Sequence, residues 1–188
     1  MNYNVPIGTK YKATMNLYFR LIWALLRAWR KPAIAPGDTI SREMRVWPNN
    51  LDVNGHMNNG RYLTVVDLML IEYFIRMGFF RAMLKNGWRP MSGGTFVTYR
   101  RGLQPLQRYE LRFAHKGCDT HWNYLRFEFW SGDKLCAAGY FKGAIVGKKG
   151  LVPNEESFIA MNIVAPMHTP EPVRHWLGAE AELMAEVR

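Results

Sequence analysis

From Tyr62 to Phe74 the chain is almost continuously apolar: Tyr62, Leu63, Val65, Val66, Leu68, Met69, Leu70, Ile71, Tyr73 and Phe74, with Asp67 and Glu72 as the only acids. So dense a run predicts a helix covered on nearly every side, ending near Gly78. Asn86-Gly87 marks a break, and beyond it the pattern changes to period two. Strands are predicted over 95–100, 106–115, 122–130 and 135–146, with Ser131-Gly132-Asp133-Lys134 as a hairpin turn. In the third of these, Leu125, Phe127 and Phe129 share one parity while Tyr124, Arg126, Glu128 and Trp130 share the other. An earlier strand is predicted over 39–47, where Ile40, Met44, Val46 and Trp47 lie among charged residues until Pro48 breaks the run. Consecutive strands joined by short turns make an antiparallel sheet. One buried helix and about five such strands predict an α+β domain whose sheet curls around the helix.

The flanks read differently. Residues 15–29 predict a helix, stopped by Pro32. Arg20 and Arg27 interrupt its apolar run, which argues against a secretory signal and makes it short for a membrane span. Two readings stay open: the helix docks on the domain or on a partner subunit, or Trp23, Trp29 and the flanking cations rest on a membrane surface. Pro36-Gly37 reads as a connector, so the expected organisation is an N-terminal extension over 1–38, a core domain over 39–150 and a C-terminal extension over 151–188. The last extension predicts helices over 155–162 and 171–187, covering an edge or a subunit interface.

Composition narrows the class. A chain of 188 residues with 48% hydrophobic and 21% charged positions suits one globular domain with a real core. The net charge of +10 is compatible with nucleic acid, an anionic membrane or a polyanionic small molecule such as coenzyme A. No helix-turn-helix or zinc module supports nucleic acid. Cys118 and Cys136 belong to no CxxC or Cys/His cluster, so both read as reduced core residues of a cytoplasmic protein. There is no glycine-rich phosphate loop, no GxSxG elbow and no metal-ligand spacing. Ser92-Gly93-Gly94-Thr95 predicts a bulge or a tight substrate-facing turn.

The chemistry-bearing stretch is the polar turn feeding the central helix, Asn50-Leu-Asp-Val-Asn-Gly-His-Met-Asn-Asn-Gly-Arg-Tyr62. Asp52, Asn54 and Asn58 suit turns and caps, and Gly55 supplies the freedom that a sharp turn needs. The segment resembles the D-x-D-x-x-G-H-x-N-N-x-x-Y signature of the 4-hydroxybenzoyl-CoA thioesterase-like branch of the hotdog-fold superfamily. The match holds at Asp52, Gly55, His56, Asn58, Asn59 and Tyr62 and departs at the first acidic position, here Asn50. The stretch from Tyr99 to Glu110 is also similar to thioesterase-superfamily proteins of the mammalian "member 6" group. The resemblance implies a hotdog fold and a homodimer or homotetramer with sites at the subunit interface. It also implies hydrolysis of an acyl-CoA or acyl-carrier-protein thioester, with neither metal nor separate cofactor, since coenzyme A arrives as part of the substrate.

On that resemblance Asn59 occupies the position whose helix-start amide contacts the thioester oxygen, with Gly60 N–H beside it. First-turn amides lack internal partners and sit at the positive helix end, where they can hold an oxyanion. Asp52 is the expected general base or nucleophile, against the alternative that it only caps the turn. His56 orients Asp52 or a water, or simply holds the loop. Asn58 caps the helix or touches substrate, while Tyr62, on the first turn, packs in the core beside these substrate-binding positions. Asp67 is the reserve catalytic acid. Glu72 and Arg76, spaced i,i+4, predict an ordinary ion pair. Arg100 and Arg101 are candidate phosphate contacts, as are Arg108, Lys142, Lys148 and Lys149, or all are solvated strand and turn residues. The competing functional class is a non-catalytic acyl-CoA-binding or membrane-associated scaffold protein.

Overall fold

The computed structural model describes residues 28–187. Of the predicted N-terminal helix, Ala28 and Trp29 are described and helical, and the remainder lies outside the described residues. The sheet comprises β1 (Thr39–Arg45), β2 (Arg89–Tyr99), β3 (Arg108–Cys118), β4 (Trp122–Ser131), β5 (Lys134–Gly147) and the short β6 (Gly150–Leu151). Its order is β1-β3-β4-β5-β2, antiparallel throughout, with β6 on β5. The predicted turn at Gly132 joins β4 to β5, and Ser92 to Gly94 is a bulge rather than a turn. That bulge lets β2 start six residues before the predicted strand, because the chain bends without leaving the ladder.

The central helix α1 (Asn59–Arg76) lies against the concave face, as the hotdog arrangement requires. Alternation along β4 turns Leu125, Phe127 and Phe129 inward, where they meet Phe113 and Leu111 of β3 and Tyr62, Val65, Val66, Met69 and Tyr73 of α1. Each such side chain contributes about 1.5–3 kcal/mol when fully removed from water, so this layer holds helix to sheet. α1 is not covered on every side. Leu63, Leu70, Ile71, Phe74 and Ile75 are half-buried, and Arg61 and Asp67 are exposed. One curled sheet reaches round only part of a helix, and the apolar density of this one exceeds what a single chain buries.

A second helix, α2 (Phe79–Asn86), packs Phe79 and Ala82 with Trp88 and Ile145 beyond the end of α1. The segment before β1 is tied down as well: Ile34 N–H donates to Arg76 O at 3.2 Å, and Arg76 Nε donates to Pro32 O at 2.9 Å. Glu72, fully buried, holds Lys31 at 2.6 Å, Arg76 at 3.3 Å and Arg42 of β1. The expected Glu72–Arg76 pair is therefore one arm of a buried cluster. Burial by itself would raise the Glu72 carboxyl, but the hydrogen bond from Lys31 and the charges of Arg42 and Lys31 hold it below the usual range. Helix α3 (Asn154–Met161) closes the end of the core beside α2, where Met161 packs with the cluster of Phe79, Trp88 and Ile145, whereas α4 (Glu171–Glu186) lies on the outer face of the sheet through Val173 and Trp176.

Candidate active site

The turn before α1 is built by its own polar residues. Pro48–Asn50 make one 3-10 turn, in which buried Asn50 accepts the Trp47 N–H on its side chain at 3.0 Å. Asn50 O accepts the Asn58 N–H at 2.8 Å, so the position where the family motif has its first acid is structural here. Leu51 and Met57 pair as an antiparallel bridge, closing a small loop over 52–56. Inside it Asp52 N–H donates to His56 O at 2.9 Å, Gly55 N–H donates to Asp52 O at 3.1 Å, and Asn54 N–H donates to Asp52 Oδ1 at 2.9 Å. Gly55, at φ +75°, takes the left-handed conformation that closes the loop. His56 Nδ1 stands 3.3 Å from Asp52 Oδ2, off the angle of a hydrogen bond.

Helix α1 then starts beside this loop. Asn58 is its N-cap, and its Oδ1 accepts the Gly60 N–H at 2.9 Å. The Gly60 amide, expected as a second oxyanion donor, is therefore occupied by the cap. Among the described residues no acceptor takes the Asn59 N–H. One amide is thus left open at the positive end of an 18-residue helix that follows the Asp52 turn. Tyr99, at the end of β2, donates its hydroxyl to Asn59 O at 3.0 Å. Sequence reasoning did not assign Tyr99 to the site, because only the sheet register sets β2 beside the helix start. Tyr62 is buried, accepts the Leu103 N–H at 3.4 Å and stacks edge-on with Tyr99 and Phe129. Burial pushes both phenols upward, so Tyr99 remains a donor at neutral pH. Tyr62 thereby reaches the site through Tyr99.

The loop after β2 lies over the same turn. Leu103 O accepts the Met57 N–H at 2.8 Å, and a Cβ on Gly102 would come within 3.2 Å of the His56 ring. Arg100 and Arg101, whose amides donate to Cys136 O, stand exposed between these contacts and make no ion pair among the described residues. Lys142, by contrast, is buried between Trp122 and Trp176, 4.9 and 5.3 Å from their rings, and paired with Glu180, so it offers nothing to a phosphate. Asp67 is exposed two turns into α1, roughly 12 Å along the axis from Asn59, and not brought to Asp52 within one chain. Its carboxyl is nonetheless pushed upward by desolvation.

The remaining candidates are structural. Cys118 and Cys136 are free, buried thiols; burial pushes the former up to about 11, far from a reactive thiolate. His115 is buried against Asn123 at 3.1 Å, and burial lowers it from the ordinary histidine value. Among the described residues no three His, Cys, Asp or Glu side chains group as metal ligands, and no helix is long and apolar enough to cross a membrane.

Comparison with known proteins gives the family and the fold. The family model described as the Thioesterase-like superfamily matches residues 46–177, which include the turn, α1 and all but the start of the sheet. Protein THEM6 of Xenopus laevis is 30% identical over 136 residues, an alignment spanning 70% of this chain and 64% of that protein. Among solved structures, YbaW, a probable thioesterase from Escherichia coli, superposes with a TM-score of 0.56 at 16% identity, covering 65% of this chain and 98% of that one. Slr0204, a 1,4-dihydroxy-2-naphthoyl-CoA thioesterase from Synechocystis, gives 0.57 at 9% identity, covering 66% and 95%. The solved structures share the hotdog fold. The chain belongs to the thioesterase-like superfamily.

Proposed function

We propose that this protein hydrolyses an acyl-CoA thioester at the turn between Asp52 and the start of α1. The observation that carries the reading is the open Asn59 amide at the start of α1, on the helix that the Asp52 turn leads into, while its neighbour Gly60 is capped. A thioester oxygen set against the Asn59 N–H gains charge as the carbonyl carbon is attacked, and that amide at the positive helix end stabilises it. A good oxyanion donor is worth about 2.7–4 kcal/mol in other enzymes.

Asp52 acts in one of two ways. As a base it takes a proton from water, the resulting hydroxide adds to the carbonyl carbon, and collapse expels the coenzyme A thiolate, which recovers the proton. As a nucleophile it adds directly to the carbonyl carbon, the C–S bond breaks as the coenzyme A thiolate leaves, and water then cleaves the acyl-Asp52 anhydride to the free acid and the Asp52 carboxylate. His56, 3.3 Å away, positions the carboxylate or the water. Arg100 and Arg101 meet the coenzyme phosphates, while Tyr99, packed against Tyr62, holds the start of α1 through Asn59 O. Coenzyme A enters only as part of the substrate, and an acyl-carrier protein could present the same thioester. The site is shared between subunits of a dimer, which would also cover the open side of α1.

A second reading has its own observation. Asp52 Oδ1 is engaged by Asn54 N–H, as in a purely structural turn, which favours a protein that binds acyl-CoA without cleaving it. Thiol release from a panel of aryl- and fatty acyl-CoAs separates the two. Hydrolysis by the native protein, lost in Asp52→Asn, supports the enzyme; tight binding of the same compounds with no thiol released supports the carrier.

A further inference from the structure

Part of the net charge of +10 is gathered at one end of the fold. At about 100° per residue, α2 carries Phe80, Leu84, Arg81 and Lys85 within about 140° of its circumference. The opposite arc holds Phe79, Ala82 and Met83, which pack with Trp88 and Ile145. This eight-residue helix is thus divided into a face that anchors it and a face turned to solvent. On the solvent face Leu84 is 68% exposed, with Arg81 and Lys85 exposed beside it.

The segment before β1 extends that face. The Trp29 ring lies 6.3 Å from Phe80 and is itself 66% exposed, and Arg30 follows it, also exposed. At the other end of α2 stands Trp88, and the turn between β5 and β6 starts against it: a Cβ on Gly147 would come within 3.2 Å of the Trp88 ring. That turn presents Lys148 and Lys149 to solvent at the rim of the same region. Two apolar tips, Trp29 and Leu84, are therefore set among cations.

These cations are not neutralised. Among the described residues none of Arg30, Arg81, Lys85, Lys148 and Lys149 makes an ion pair. Neither 79–109 nor 134–154 contains an acid. Helix α3 meets α2 through Met161, and its own acids, Glu155 and Glu156, lie at its other end, Glu156 about 8 Å along the axis. Exposed cations left unpaired beside an exposed tryptophan and leucine do nothing for the fold.

We propose that this face docks on an anionic lipid surface, with Trp29 and Leu84 entering the bilayer interface and Arg30, Arg81, Lys85, Lys148 and Lys149 meeting the headgroup phosphates. Tryptophan and leucine gain by leaving water for the interface, and long basic side chains reach back to the anionic layer from beside them. A nucleic acid would pair the cations and leave Leu84 in water, whereas a lipid surface takes both kinds of group. The 18 residues of α1 separate α2 from Asn59 by about 25 Å, so a docked chain keeps its Asp52 turn away from the contact. The inference does not depend on thioester cleavage, and its test does not use turnover.

The full chain is expected to sediment with vesicles of phosphatidylglycerol in phosphatidylcholine and not with phosphatidylcholine alone. Arg81→Glu/Lys85→Glu is expected to bind at least tenfold more weakly. Lys116→Glu/Lys134→Glu, the same change in net charge at exposed positions elsewhere, should bind like the native chain. Because two glutamates also weaken a short helix, a second measurement keeps the native charges. An environment-sensitive NBD label on Leu84→Cys is expected to brighten several-fold when the anionic vesicles are added, while the same label on Leu183→Cys of α4 does not respond. A native chain that ignores anionic vesicles overturns the proposal. So does equal weakening by the two double variants, which would make the attraction one of bulk charge, or a label at position 84 that stays dim on bound protein. Binding to poly(U) RNA as tight as to the vesicles, with no loss in Leu84→Ser, would assign the face to nucleic acid and overturn it too.

Discussion

The two ends of α1 each hold a carboxylate, and the two are treated in opposite ways. At the C-terminal end Glu72 is wholly buried and surrounded by Lys31, Arg42 and Arg76. At the N-terminal end Asp52 stands in a turn, 17% exposed in its side chain, with one oxygen on an amide and the other facing a half-exposed histidine. A saturated buried charge cannot be given to a substrate without leaving its cations unpaired. A partly exposed carboxylate with no cation saturating it, in the turn that leads to an amide with no acceptor, has capacity left over. Glu72 therefore belongs to the fold and Asp52 to the chemistry.

Removing each acid is the sharpest way to break this contrast. Glu72→Ala leaves three cations around an empty site and is expected to cost about 3–5 kcal/mol, read as a fall in unfolding free energy by urea titration. An effect below 1 kcal/mol would dissolve the distinction. Asp52→Asn is expected to do the reverse: stability within about 1 kcal/mol of the native protein, and thiol release from acyl-CoA down at least about a hundredfold, equivalent to about 2.7 kcal/mol of transition-state stabilisation. Retained turnover would move the acid elsewhere, with Asp67 next in line.

Acid titration sharpens the same comparison. Because the folded carboxyl of Glu72 is held below its unfolded value, its contribution is complete above the ordinary glutamate range near pH 4.3 and disappears as pH falls through the folded value. Unfolding free energy measured between pH 6 and 3 should fall more steeply in the native protein than in Glu72→Gln; parallel curves would refute the cluster's role. Asn58→Ala is a smaller change. It removes the cap on Gly60 and is expected to cost about 1 kcal/mol in thermal unfolding. Smallest is Tyr99→Phe, which loses one hydrogen bond to Asn59 O. About 0.5–1.5 kcal/mol or less in stability is expected, with thiol release lowered a few-fold.

Much of this was legible in the chain. Alternation along residues 122–130 marks β4 and names its inward residues, since a strand's side-chain period is fixed by the backbone. The turn from Asn50 to Asn59 announces itself because caps and Asx turns are made with neighbours one to four residues away. The same locality hid other things. Glu72 reads as an ordinary ion pair with Arg76, while Lys31 and Arg42, which also hold it, are 41 and 30 positions away. Lys142 looked like a candidate phosphate contact until α4 placed Trp176 and Glu180 over it.

By itself, then, the sequence determined the elements, their apolar faces and the residue types gathered at the start of α1, because periodicity, turn formation and capping act over a few residues. Tertiary structure decided which of two adjacent amides stays open, which strand end supports Asn59, and which acid is neutralised. Those outcomes follow from sheet register and from what packs above each position, and they couple residues tens of positions apart.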